Sequence, residues 1–407
     1  MRLVLVVPLL ALILGVGVSC SDDGSDGHVA LTIGVLVPLT GSLASYGETS
    51  EAALKLAAKA INDDGGQVSL LIEDTTTTPA TALEKLKSLH ERGARVVIGP
   101  FASSEVAAAK AYADANDMVL LSPLRTATSL AVGGDNVFRF TPDDDKEGAA
   151  VAALAAQDGI KAIIPVSRDD QGNLGLQTSM KGYFETRGGK VVPGITYGAN
   201  ETNFDDEVKT LSQLVANARA VAGNNIAIYL TAFSEVTGLF GAAAGHPDLE
   251  GVKWYGSDSV ALSADLVKDP KAAAFAVAAG YPNPILGLSD ADKGRWGPVQ
   301  EQLTTELGRT PDAFALAAYD ALIVGYTALA RTGEDGPTAD LKEAIVSIAN
   351  GYQGLTGSAK LNDAGDRDIA IYDFWAVCKK GDVFTWIRAA SYVATGGGQI
   401  SRPETCK

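Results

Sequence analysis

Short apolar runs alternate along this chain with longer stretches whose apolar residues recur every three or four positions. Val29 to Val37 predicts a strand. Glu48 to Asn62 predicts a helix, because Ala53, Leu54, Ala57, Ala58 and Ile61 share one face and Asp64-Gly65-Gly66 ends it. The same rhythm predicts strands over Val68 to Ile72, Ala94 to Ile98 and Met118 to Leu121. Helices are predicted over Ala80 to Glu91 and Ser104 to Ala115. It resumes with strands over Ala162 to Val166, Val191 to Thr196 and Ile226 to Leu230, and with helices over Leu174 to Arg187 and Phe204 to Val221. Such alternation builds parallel sheets covered by helices on both faces, so the expected class is α/β. A polar break at Thr141-Pro142-Asp143-Asp144-Asp145 suggests two sheets. After about Tyr281 the pattern shifts to long helices, Ala313 to Arg331 and Ala339 to Ala349. A strand-rich tail follows: Ala359 to Leu361, Ile369 to Val377 and Val383 to Ile387.

The first residues belong to none of this. Arg2 precedes sixteen uncharged residues ending at Val18, too short for a membrane span of about 20 residues. A basic start, a short apolar run and small residues read as a secretory signal over residues 1–19. The Gly17-Val18-Ser19-Cys20 ending resembles a bacterial lipobox, with Cys20 as the lipidated residue. Residues 20–28 then form a polar tether. Export places the two other cysteines, Cys378 and Cys406, in an oxidising compartment, where one disulfide is expected. No further long apolar run is expected to enter a membrane.

At 407 residues the chain has room for two or three domains. Its net charge of −16 would repel nucleic-acid phosphates, so no nucleic-acid partner is expected. Three histidines leave little for a metal site, and His28, His90 and His246 all read as surface positions. There is no G-x-S-x-G, P-loop, H-E-x-x-H or C-x-x-C. The adjacent acids Asp63-Asp64, Asp169-Asp170 and Asp205-Asp206 read as caps and turns. Neither an enzyme nor a cofactor is expected.

Ligands of open parallel sheets bind beyond the carboxyl ends of strands, so the loops there carry the candidate chemistry. Ser103 and Ser104 open a predicted helix, where they either cap it or hold a carboxylate. Thr126 adds a hydroxyl to the same anion or caps a turn. Asp258 pairs with a ligand ammonium or is a solvated turn residue. Tyr46 and Phe233 are pocket walls or core.

These segments together resemble the leucine/isoleucine/valine-binding protein family of bacterial ABC importers. The match carries IGVLVPLTGSLASYGETSEAALKLAAKAINDDGG, VVIGPFASS, LLSPLRTATSLA, VFRFTPDDDKEG, ETNFDDEV, YGSDS and PDAFALAAYDALIVGYTALARTG, in order, between about Leu31 and Phe384. The resemblance implies a type I periplasmic binding protein fold: two lobes joined by a three-strand hinge, closing on a ligand in the cleft. It implies an N-terminal lobe from residues 29–141 and 281–355 and a C-terminal lobe with tail from 142–280 and 356–407. It assigns the ligand carboxylate to Ser103, with help from Leu124 backbone and the Thr126 hydroxyl. The aromatic positions fall to Tyr46 and Phe233, and the α-ammonium to Asp258. Two departures stand out. Arg125 precedes the threonine, where the family has small residues; facing the cleft it would suit an acidic ligand, and otherwise it points to solvent. Leu174 stands where the family often has an aromatic. The expected function is therefore an exported, lipid-anchored, monomeric solute-binding protein that delivers an amino acid to an ABC permease. A sensory subunit, an exported hydrolase on a similar scaffold, and a binder of an amide, urea or aromatic acid are the alternatives.

Overall fold

The computed structural model describes residues 30–368, 371–394, 398–403 and 406. The signal segment, Cys20 and the tether lie outside the described residues, as do Val29 and Ile369. Five strands form the first sheet: β1 (Leu31–Val37), β2 (Val68–Asp74), β3 (Val96–Ile98), β4 (Val119–Ser122) and β5 (Val137–Arg139). All pair in parallel, in the order β2-β1-β3-β4-β5. The helices α1 (Ala44–Asp63), α2 (Pro79–Glu91) and α3 (Ser103–Ala115) connect them. Then α4 (Asp144–Gln157) leads into the second sheet, β6 (Ala162–Arg168), β7 (Lys190–Val191), β8 (Ile195–Tyr197), β9 (Ile226–Thr231) and β10 (Lys253–Tyr255), with α5 (Gln171–Thr186) after β6. Its order is β10-β9-β6, and β7 and β8 share the outer edge of β6, again all parallel. A third, antiparallel sheet runs β11 (Asn283–Leu286), β14 (Ile371–Lys380), β15 (Val383–Val393) and β16 (Gln399–Ser401), after a small hairpin of β12 (Gln353–Gly354) and β13 (Gly357–Ser358).

Packing rather than capping holds the helices. α1 begins without a side-chain cap, yet buries Leu54, Ala57 and Ile61 against the first sheet. A cap contributes about 1 kcal/mol, whereas each buried large aliphatic side chain contributes about 1.5–3 kcal/mol. α2 and α3 cover the opposite face through Leu86, Leu89, Val106 and Ala109. Helix Ala313–Thr332 returns to the first sheet. It alone among the described helices is long and apolar enough to cross a membrane, a feature not expected from the sequence. Most of it is buried against Ile33, Val35, Val96 and Ile98, so it serves as a core helix.

Where the alternating pattern misplaced elements, the cause is local. The predicted strand Val191 to Thr196 is broken at Pro193-Gly194, because a Cβ at Gly194 would stand 1.9 Å from Pro165 O. The backbones approach too closely there for a side chain. Ala359 to Leu361 is no strand; only Leu361 makes an isolated bridge, to Arg367. β5 and α4 were hidden by the polar break between them. The tail pairs through β16, and Cys378 and Cys406 are disulfide-bonded, as expected.

α4 and α5 touch with no side chain between them at Gly148. A Cβ there would stand 2.3 Å from Ser179 Oγ and 2.6 Å from Met180 N. In an isolated helix, Gly148→Ala would stabilise by about 1 kcal/mol. Here overpacking costs about 1–3 kcal/mol, and the second contact is unyielding backbone. A lowered midpoint of thermal unfolding is the expected result; a raised one would show that the helices separate freely.

Candidate ligand-binding site

The carboxyl ends of the parallel strands of both lobes meet at one interface. α3 follows β3, and the turn between them, Gly99-Pro100, is a cis peptide. A Cβ at Gly99 would stand 2.2 Å from Leu36 O at φ +103°, so only glycine fits. Neither serine caps α3. Ala102 flanks the helix, and its N–H donates to Glu105 Oε2 at 2.9 Å. Ser103 Oγ is thereby left to the interface, where it accepts the Ala127 N–H at 3.3 Å. It faces α5 of the other lobe: a Cβ on Gly172 would stand 3.3 Å from Ser103 Oγ and 3.5 Å from Asp170 Oδ1. Ser104 is only half-buried.

Leu124 and Thr126 are both buried beside this point. The Thr126 and Ala127 carbonyls accept from Arg139 Nη1 at 3.2 and 3.0 Å, which pins their loop. Arg125 does not point to solvent: it is 1 % exposed, with Nε and Nη2 unpartnered. Burial, then Arg139, push its guanidinium down to about 9, while Asp366, Asp135 and Asp144 act the other way. Its charged neighbours are thus the Arg139–Asp366 pair and those acids.

Tyr46 is a clasp more than a wall. Its ring meets Phe314 edge-on at 5.9 Å within the first-lobe core. Its hydroxyl donates to Ala261 O at 2.7 Å, with Asp258 O at 3.0 Å. Nearby, Ser45 Oγ accepts from Ala264 N and Ser42 O from Ser234 N. The loop after β1 and the first turn of α1 therefore grip the loops after β9 and β10.

Asp258 follows β10 and is buried. Oδ1 accepts the Ser259 hydroxyl at 2.8 Å, and Oδ2 has no partner. Burial pushes its carboxyl up to about 6, against the hydrogen bonds from Ser259 and with Asp170 adding to the rise. Beneath it stand two acids of α4. Glu147 Oε1 accepts the Asp258 N–H at 3.2 Å, and Glu147 Oε2 and both Asp144 oxygens are unpartnered. Burial raises Asp144 to about 8 and holds Glu147 well above the carboxylate range, with Asp258 adding to both. Among the described residues no group of His, Cys, Asp and Glu is placed to hold a metal ion.

Phe233, buried after β9, lies under the guanidinium of Arg168, 4.8 Å from its ring centroid. Arg168 ends β6, flanked by Asp170 and Glu235. Asp170 is the cap of α5, as expected, accepting from Asn173 N at 3.0 Å.

The structure thus gathers Tyr46, Ser103, Thr126, Phe233 and Asp258 around one interface. Leu174 is 39 % exposed and lines a groove of about 680 Å³ between α5 and the chain just after the Thr126 loop, with Thr128, Ser129, Asp145, Thr178 and Tyr183. A second groove, about 580 Å³ along Lys293–Thr305, lies apart from the interface residues. Sequence reasoning passed over Arg168, Asp144 and Glu147. The available signal was an arginine closing an otherwise apolar strand, and two acids three apart on a helix.

Comparison with known proteins agrees with this geometry. Residues 30–377 match the family model described as periplasmic binding protein. An uncharacterized protein of Methanocaldococcus jannaschii is 29 % identical over 89 % of this chain and 90 % of its own length. The leucine-, isoleucine-, valine-, threonine-, and alanine-binding protein of Pseudomonas aeruginosa is 23 % identical over 84 % of this chain and 90 % of its own. Among solved structures, the solute binding protein of an ABC transporter from R. palustris, in complex with benzoate, superposes with a TM-score of 0.74 at 20 % identity. It covers 88 % of this chain and 96 % of its own. Two parallel sheets meeting at their carboxyl ends, and a family match across most of the sequence, lead to one conclusion: the chain belongs to the periplasmic binding protein family, in its type I, leucine/isoleucine/valine-binding-protein-like branch, whose members bind solutes outside the cytoplasm.

Proposed function

We propose that this protein captures a free α-amino acid between its lobes and delivers it to an ABC importer. The observations that carry the reading are the Ser103 hydroxyl, on the first turn of α3 and facing α5 of the other lobe, and the buried Asp258 oxygen of that lobe that has no hydrogen bond. An α-carboxylate suits a helix N-terminus with a nearby hydroxyl, and an α-ammonium suits a buried carboxylate without a cation. In this reading Thr126 and the Leu124 backbone assist the carboxylate, and Tyr46 clasps the closed form. The lobes are residues 29–141 with 281–355 and residues 142–280 with 356–407. The protein works as a monomer tethered to the membrane through Cys20.

A thermal-shift screen of residues 21–407 against amino acids, dicarboxylates, amides and aromatic acids tests it. A ligand at about 100 times its dissociation constant adds roughly 2.7 kcal/mol of stability. A shift with at least one amino acid is expected. Shifts confined to aromatic acids such as benzoate would overturn the amino-acid reading while leaving solute binding intact.

A further inference from the structure

The reading above leaves open what surrounds the ligand's side chain, and the second lobe holds an unusual group there. The Arg168 guanidinium lies over Phe233, 4.8 Å from the ring centroid, and so covers one face of the ring. Two carboxylates flank the guanidinium. Asp170 Oδ2 is 2.9 Å from Nε, and Glu235 Oε2 is 3.3 Å from Nη1. All three residues are largely buried.

Each carboxylate already has other donors. Glu235 Oε1 accepts the Tyr197 hydroxyl and the Phe233 N–H, both at 3.0 Å. Asp170 accepts the Asn173 N–H at 3.0 Å and Asn173 Nδ2 at 2.6 Å. Two atoms of the group remain buried without a hydrogen bond. One is a donor, Arg168 Nε, and the other an acceptor, Glu235 Oε2. Nε is close to Asp170 as an ion pair but lacks hydrogen-bond geometry toward it. Leaving such atoms unsatisfied is costly, so a ligand that satisfies both gains specificity.

The geometry points to a ligand whose side chain ends in a neutral group with both an acceptor and a donor, a carboxamide or ureido group. Its carbonyl accepts from Arg168 and its N–H donates to Glu235. A cationic side chain leaves Arg168 Nε without an acceptor, and an anionic one meets Asp170 and Glu235, a like-charge contact. A branched aliphatic side chain leaves both atoms without a hydrogen bond. Arg168 is then the specificity-determining residue, and Arg125, packed beside Arg139, is not.

This inference rests on the interlobe cleft being the amino-acid site. Isothermal titration of the purified protein with glutamine, asparagine, citrulline, leucine, glutamate, lysine and benzoate tests both. One of the amide or ureido ligands should bind at least tenfold more tightly than leucine, glutamate or lysine. Arg168→Lys, which keeps the charge and removes the planar fork, should lose at least tenfold of that affinity. Arg168→Met should narrow the preference over leucine. Tighter binding of leucine, lysine or glutamate overturns the assignment to Arg168 and leaves the amino-acid site standing. So does unchanged amide affinity in a folded Arg168→Lys protein. Binding of benzoate with no amino acid, or of none of the panel, overturns both.

Discussion

Replacing Asp258 with asparagine is expected to weaken amino-acid binding by about 100- to 5,000-fold, while making the empty protein more stable at pH 8. The loss follows from leaving a ligand ammonium buried without its counter-charge, which costs about 3–5 kcal/mol. The gain follows from the empty site. Asp258 titrates at about 6 in the folded chain against an ordinary 3.8, because burial disfavours its charge. The folded protein therefore holds this proton more tightly than the unfolded chain does. Stability from this group is highest below about pH 4 and is lost as pH rises through 6. That difference amounts to about 3 kcal/mol, and Asp144, raised to about 8, carries the decline further. A ligand ammonium beside Asp258 offsets the penalty, so the thermal shift it produces should grow between pH 5 and pH 8. Urea unfolding of both proteins at pH 5 and pH 8, with and without ligand, checks the sign. Equal stability of the two empty proteins at pH 8 would mean that Asp258 carries no buried charge.

The largest expected loss of stability comes from Arg139→Ala. Arg139 closes the first sheet where the chain crosses to α4, and it pairs with Asp366 through Nε and Nη2, both residues being buried. The backbones are tied there too: Arg139 N donates to Gly365 O at 2.8 Å, and Arg367 N to Arg139 O at 3.1 Å. Two segments of chain far apart in sequence are joined at this one residue. Removing the guanidinium leaves the buried Asp366 side chain without its partner and frees the Thr126 and Ala127 carbonyls. Breaking a buried pair from one side costs about 3–5 kcal/mol, so the unfolding midpoint should fall by roughly 5–10 °C. On the proposed reading, in which Thr126 assists the ligand carboxylate, affinity should fall with it. Arg139→Ala with an unchanged midpoint would show that Asp366 finds another donor, and Lys146, whose Nζ reaches the Arg367 carbonyl at 3.3 Å, is the nearest cation on α4.

How far the sequence reached depends on the range of the interaction involved. The strand and helix alternation over residues 31–115 reads directly because the spacing of Ala53, Leu54, Ala57 and Ile61 is a local property of α1. Ser103 and Asp258 were legible as strand-end polar residues in a recognisable order. Their roles were not legible, since whether a serine caps its helix depends on Glu105 reaching Ala102. The surroundings of Leu174 were not legible for the same reason: the register of α5 puts Gly172 against Ser103 and Leu174 in the groove with Thr128 and Ser129. Arg125 could not be decided at all, because its charged surroundings include residues as distant in sequence as Asp366.

The sequence by itself determined the α/β class, the two parallel sheets, the family, and the set of loops from which a site must come. Periodicity and motif order are enough for these, because they follow from residues close along the chain. Only the tertiary structure decided which charges face one another. Glu147 and Asp258 lie 111 residues apart, and Arg168 meets Glu235 only because β6 and β9 are neighbours. Desolvation and pairing energies depend on that folding. The polarity of the cleft, and with it the class of ligand, is therefore a property of the folded chain.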